Sequence, residues 1–158
     1  MRAGTLVFLI VSPLAASAFA AEPIACPELS AAVQIGACPS EAELRYAFTA
    51  FCSDNARLYT RDTDECTDFA QFGRRKNIAL WESADGRFQG YVSCQLSAAT
   101  VRNARAARIS VAREGSVTRL VCTYPQAVTF VHRVRGECRI EGDGDCRDTP
   151  AACAARCN

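Results

Sequence analysis

Ten cysteines, one histidine and a set of arginines on strand-like segments are the residues here whose types could do chemistry. His132 is the sole histidine, and imidazole is the side chain whose ordinary chemistry suits proton transfer near neutral pH. Beside a carboxylate it would serve as general acid or base in a small secreted hydrolase. No Gly-x-Ser-x-Gly elbow is present to supply a serine nucleophile. A cysteine nucleophile paired with His132 needs a free thiol, and an even count of cysteines in an exported chain argues against one. Cys26, Cys38, Cys52, Cys66, Cys94, Cys122, Cys138, Cys146, Cys153 and Cys157 predict five disulfides. Ten cysteines allow 9×7×5×3 = 945 full pairings, so spacing leaves the connectivity open. Structural zinc needs close pairs such as Cys-x-x-Cys or two histidines, and neither occurs. Asp143-Gly144-Asp145, with Glu141 and Asp148, offers oxygens to calcium but lacks the full loop pattern, so it reads as a solvated turn. No metal site is expected. No phosphate-cradling glycine loop and no dinucleotide fingerprint are present, so no cofactor is implied.

Charge is the other chemical signal. The formal net charge of +1 hides an asymmetry. From Arg74 to Arg139 there are twelve Arg/Lys against four Asp/Glu, a net of +8. The rest of the chain after residue 20 has five against thirteen, a net of −8. Such a split predicts a basic surface. Arginine suits oxyanions because its fork pairs them bidentately. The expected partner is therefore an acidic protein surface or an anionic envelope component. Tyr91 is the one aromatic on the arginine-bearing strand face, so a stacking platform for nucleic acid is not expected. The competing expectation is that the acidic stretch Asp62 to Asp68 lies over the sheet and neutralises it. One lysine beside sixteen arginines after residue 20 also fits the composition of a high-GC bacterial coding sequence.

These residues must be positioned by elements legible in the chain. Residues 1–20 read as a secretory signal. Arg2 is the positive start, Leu6 to Val11 the apolar stretch, and Ala18-Phe19-Ala20 the small-residue site, with cleavage after Ala20. No later stretch is apolar for long enough to span a bilayer. Glu28 to Val33 behind Pro27 predicts two helical turns ended by Gly36. Ser40 followed by Glu43 is a capping-box pattern. Leu44, Ala47, Phe48, Phe51 and Cys52 then recur at helical spacing, predicting a helix over Ser40–Ser53. Asp54 to Asp68 is turn-like. Asp64-Glu65 opens a short helix through Phe69 and Phe72, stopped by Gly73, with Arg74-Arg75-Lys76 as a solvated turn. Strands follow at Ile78–Ser83 and Phe88–Leu96, joined at Ala84-Asp85-Gly86, a hairpin signal. Ala98–Ala107 reads as helical. Arg108–Arg113, Val117–Tyr124 and Val128–Val134 complete five strands in meander order. Thr149-Pro150 reads as the start of a helix running to Cys157, whose cysteines would clamp it through two different partners.

Alternation sorts the strand residues into faces. Phe88, Val92, Cys94, Ile109, Val111, Leu120, Cys122, Tyr124, Val128, Phe130 and Val134 form the core face, with His132 on that side near a strand end. Tyr91, Ser93, Arg108, Ser110, Arg119, Val121, Thr123, Val131, Arg133 and Arg135 form the other. The fold class is α+β: an antiparallel β-meander of about five strands with short flanking helices, stapled by disulfides, in a single exported domain over residues 21–158. The expected function is a non-catalytic binding module, secreted or periplasmic, inhibitor-like or envelope-interacting. It would bind through Tyr91, Arg108, Arg119, Arg133 and Arg135. The alternative is the hydrolase built on His132.

Overall fold

The computed structural model describes residues 22–54, 66–149 and 152–158. The predicted signal at 1–20, most of the turn after Asp54 and the helix start at Pro150 lie outside them. The fold is α+β, with two antiparallel sheets and three helices among the described residues. The strands in chain order are β1 (Ile24–Ala25), β2 (Val33–Gln34), β3 (Ile78–Glu82), β4 (Gln89–Ser93) and β5 (Arg108–Glu114). They continue with β6 (Val117–Thr123), β7 (Thr129–Arg135), β8 (Cys138–Ile140) and β9 (Ala154–Cys157). The helices are α1 (Glu41–Cys52), α2 (Phe69–Lys76) and α3 (Ala98–Asn103).

The larger sheet has the order β2-β3-β4-β7-β6-β5. The hairpin β3–β4 and the run β5–β6–β7 are meanders, as expected. The chain between them departs from a straight meander: after β4 it passes through α3 to the far edge, enters β5, and returns so that β7 lies beside β4. Three hairpin-linked strands with a fourth returning beside the first are Greek-key order. The crossover is long enough to permit this because Gln95 to Ala107 carries a helix instead of a tight turn.

The core lies on one face of this sheet. Phe88, Val92, Ile109, Leu120, Cys122, Tyr124, Val128 and Phe130 are all buried there, together with Trp81, Val101 and Leu29. Each such side chain contributes about 1.5–3 kcal/mol by leaving water. The Tyr124 hydroxyl donates to the Pro27 carbonyl at 2.6 Å, and burial raises its pKa above the ordinary tyrosine range. The loop after β8 protects the far edge. Ile109 N–H donates to Gly144 O at 2.9 Å and Cys146 N–H to Ala107 O at 3.1 Å, using backbone groups that an edge strand would otherwise expose.

The capping box at Ser40 forms: Glu43 N–H donates to Ser40 Oγ, and Ser40 N–H donates to the Glu43 carboxylate at 2.7 Å. Phe48 and Phe51 of α1 meet Phe69 and Phe72 of α2 at ring separations of 5.2–5.9 Å. α2 differs from expectation. It runs through Gly73 to Lys76, so Arg74, Arg75 and Lys76 form its last turn, where cations meet the negative end of the helix dipole.

Two predicted helices do not form among the described residues. Glu28 to Val33 holds only a 3₁₀ turn at Leu29–Ala31, and Val33 then enters β2. The helix expected up to Cys157 is instead the central strand β9, paired with β1 on one side and β8 on the other. Alanine-rich sequence favours helix locally. Two ladders, burial of Ala154 and Ala155, and a bridge to Cys138 directly opposite Cys157 outweigh that preference.

All ten cysteines are paired: Cys26–Cys122, Cys38–Cys94, Cys52–Cys66, Cys138–Cys157 and Cys146–Cys153. Cys153 and Cys157 do reach two different partners, but they clamp a strand.

Two turns yield predictions. The loop from β6 to β7 places Gln126 and Ala127 at φ of 59° and 58°, a region that costs a residue with a Cβ about 1–2 kcal/mol. Ala127→Gly should raise stability by about 0.5–1 kcal/mol, read as a higher urea midpoint at unchanged slope. An unchanged midpoint would show that the loop carries no such cost. In the β3–β4 turn, Asp85 accepts from Ser83 Oγ at 2.6 Å and from Arg87 Nε at 2.6 Å. The Ser83 hydroxyl first, and Arg87 second, lower its pKa from 3.8 to about 2. A depressed folded pKa stabilises the fold above the unfolded value and loses that contribution as pH falls toward about 2. Between pH 5 and pH 2 the denaturant midpoint of Asp85→Asn should therefore fall less steeply than that of the parent. Parallel curves would overturn this role.

Candidate functional site

The outer face of the larger sheet is built by β-alternation. One row crosses all six strands: Val33, Glu82, Gln89, Val131, Val121 and Ser110 are successive cross-strand partners. Residues two positions away on each strand stay on this face. On one side of the row lie Leu80 and Tyr91, directly paired, with Ile35 beside them, its N–H donating to Leu80 O at 2.9 Å. On the other side Arg133, Arg119 and Ala112 form a row, and Arg135, Val117 and Glu114 the next.

Arg119 and Arg133 thus stand directly opposite each other on neighbouring strands. Like charges in that position destabilise a sheet. Glu114, on the same face, forms an ion pair with Arg119. Arg133 is exposed and makes no ion pair among the described residues. The Arg119 Nε is shielded from solvent and has no hydrogen-bond acceptor among the described residues. Four arginines (Arg108, Arg119, Arg133, Arg135) share the face with two glutamates (Glu82, Glu114), a local net of +2. The acidic groups described on the face are therefore its own strand residues. Most of the Asp62–Asp68 stretch lies outside the described residues.

The five expected binding residues are not one cluster. Tyr91, Arg119 and Arg133 line a shallow groove of about 320 Å³, with Leu80, Gln89 and Val131 among its walls. Arg135 lies one row beyond Arg133, and Arg108 on the edge strand β5 pairs with Thr123 at the opposite end of the face. Sequence reasoning missed Val33, Ile35 and Leu80. Val33-x-Ile35 is itself a two-residue alternation, masked by the helical pattern of Glu28 to Val33 and its break at Gly36.

His132 is half-buried on the core side, opposite Leu120. Its Nδ1 meets the Arg87 carbonyl at 2.7 Å and its ring lies 5.1 Å from that of Phe88. Those contacts tie β7 to the β3–β4 turn. No carboxylate among the described residues reaches ion-pair distance of it. Around Gly144, the Asp143 side chain accepts the Asp145 N–H at 3.0 Å, and Asp145 pairs with Arg147 at 2.5 Å. Hydrogen bonds from Arg147 lower the Asp145 pKa from 3.8 to about 2. Among the described residues no group of three His, Cys, Asp or Glu is placed to hold a metal.

Fold and bridges together define a disulfide-framed α+β protein, and five closed bridges fit an oxidising compartment. No helix of the described residues is long and apolar enough to cross a membrane. In comparison with known proteins, no family model, no curated protein and no solved structure matches this chain.

Proposed function

We propose that this chain is a non-catalytic binding module, secreted or periplasmic, whose outer sheet face docks an acidic protein surface. The observation that carries the reading is the Arg119–Arg133 juxtaposition, left uncompensated at Arg133. Placing like charges opposite one another works against the sheet, and a partner's carboxylates would relieve that repulsion while gaining bidentate bonds. Arginine and tyrosine are also the side chains enriched where protein interfaces concentrate binding energy.

Immobilised poly-L-glutamate is the probe. The parent protein is expected to be retained at low salt and released as salt screens the contact. R119E/R133E should cut retention at least tenfold, whereas R74E/R139E, which changes net charge equally elsewhere, should cut it far less. Equal losses in the two variants would reduce the effect to overall charge and remove this face from the proposal.

A further inference from the structure

The outer face carries more than charge. Four large hydrophobic side chains are exposed among the described residues, and three of them, Val33 at 46 %, Ile35 at 51 % and Tyr91 at 67 %, lie on it. With half-buried Leu80 they form an apolar corner at the β2 edge. The arginine pair lies toward the opposite corner. The groove lined by Leu80, Tyr91, Val131, Arg119 and Arg133 runs between the two. Charge and apolar surface are thus separated along one depression.

Building on the acidic-partner reading, we propose that this groove takes an extended segment of the partner protein. Its carboxylates meet Arg119 and Arg133, and a bulky apolar side chain seats between Ile35, Leu80 and Tyr91. The sheet sets the spacing. Gln89 pairs with Val131, so Tyr91 and Arg133 lie two residues from that pair in opposite directions along adjacent strands. Four residues of offset and one strand spacing place their Cα atoms about 14 Å apart. Extended chain covers that distance in about four residues, and residues four apart in a strand share a face. A helix would need about nine, so the geometry selects a carboxylate and an apolar side chain at i and i+4 of an extended segment. A membrane surface fits less well, because the exposed apolar residues are confined to one corner of the face and the arginine pair lies away from them.

The test uses fluorescent ten-residue Ser/Thr peptides carrying one Asp, able to lie between Arg119 and Arg133, and one Phe placed two, four or six residues beyond it. Binding is followed by anisotropy at low salt with the disulfide-intact protein. The four-residue spacing should bind at least fivefold tighter than the other two. I35S/Y91A should erase that preference while leaving salt-sensitive binding, and R119E/R133E should abolish binding to all peptides. Spacing-independent binding that still depends on Arg119 and Arg133 would overturn the apolar seat and leave the acidic-partner reading standing. Absence of peptide binding would overturn both. Binding to phosphatidylglycerol vesicles in that case would assign the arginines to lipid.

Discussion

Replacing Cys26 and Cys122 together by alanine is expected to lower stability by about 5 kcal/mol, the largest effect of any single bridge. The bond closes a separation of 96 residues. In the chain-entropy account a loop of about 100 residues is worth about 4.7 kcal/mol, whereas a loop of seven or eight is worth about 2.5 kcal/mol. Cys146–Cys153, with a separation of 7, is the natural comparison, because its sulfurs belong to residues as buried as Cys122. The long bridge also ties the two sheets together beside the Tyr124–Pro27 hydrogen bond. Cys26 follows β1 of the smaller sheet, and Cys122 sits in β6 of the larger one, next to its β5 edge. Urea titration and thermal melts of C26A/C122A and C146A/C153A decide the matter. The first should lose about twice as much as the second, with a melting temperature lowered by about 15 °C. Equal losses would show that local packing, not loop closure, sets the value of these bridges.

How much of this was legible in the sequence follows from which interactions are local. Five of the six strands of the large sheet are readable to within three residues because alternation and the turn at Asp85-Gly86 are local signals. Gly86 adopts φ of +72°, as that turn requires. The capping box at Ser40 is equally local, reaching only to Glu43. What failed depended on distant partners. The segment around Val33 is two residues of strand only because the Glu82 edge is there to pair with. Ala154–Cys157 is a strand only because β1 and β8 flank it. The position of β7 beside β4 follows from a crossover whose direction no turn residue encodes. At the site the same division holds. Alternation placed Tyr91, Arg119 and Arg133 on one face, but their meeting in one groove depends on the β4–β7 seam. The contribution of Ile35 depends on the β2 edge.

That seam makes Gly90 the most sensitive position next to the site. Glycine inside a strand weakens it unless close backbone approach requires it, and here it does. Gly90 is buried, opposite Trp81. A Cβ at Gly90 would fall inside contact distance of the Thr129 carbonyl oxygen and 3.3 Å from the Phe130 ring. The carbonyl belongs to the β7 backbone, so relief requires moving the strand. β4 and β7 share a single register pair, against seven between β6 and β7, so little ladder resists separation. Overpacking of this kind costs about 1–3 kcal/mol. Gly90→Ala is expected near the top of that range and Gly90→Val beyond it. Exposed Tyr91→Ala, one residue away on the outer face, should change stability by no more than about 0.5 kcal/mol. Amide hydrogen exchange separates local from global damage. In Gly90→Ala the β3 and β4 amides should lose protection more than those of β5 and β6, because only the seam is pushed apart. Uniform loss, or a cost no greater than that of Tyr91→Ala, would mean that β7 does not limit the space at this position. The seam also holds the Leu80–Tyr91 corner against the Arg119–Arg133 pair. Gly90→Ala should therefore weaken the spacing-selective peptide contact more than the poly-L-glutamate contact, whose arginines both lie beyond the seam on β6 and β7.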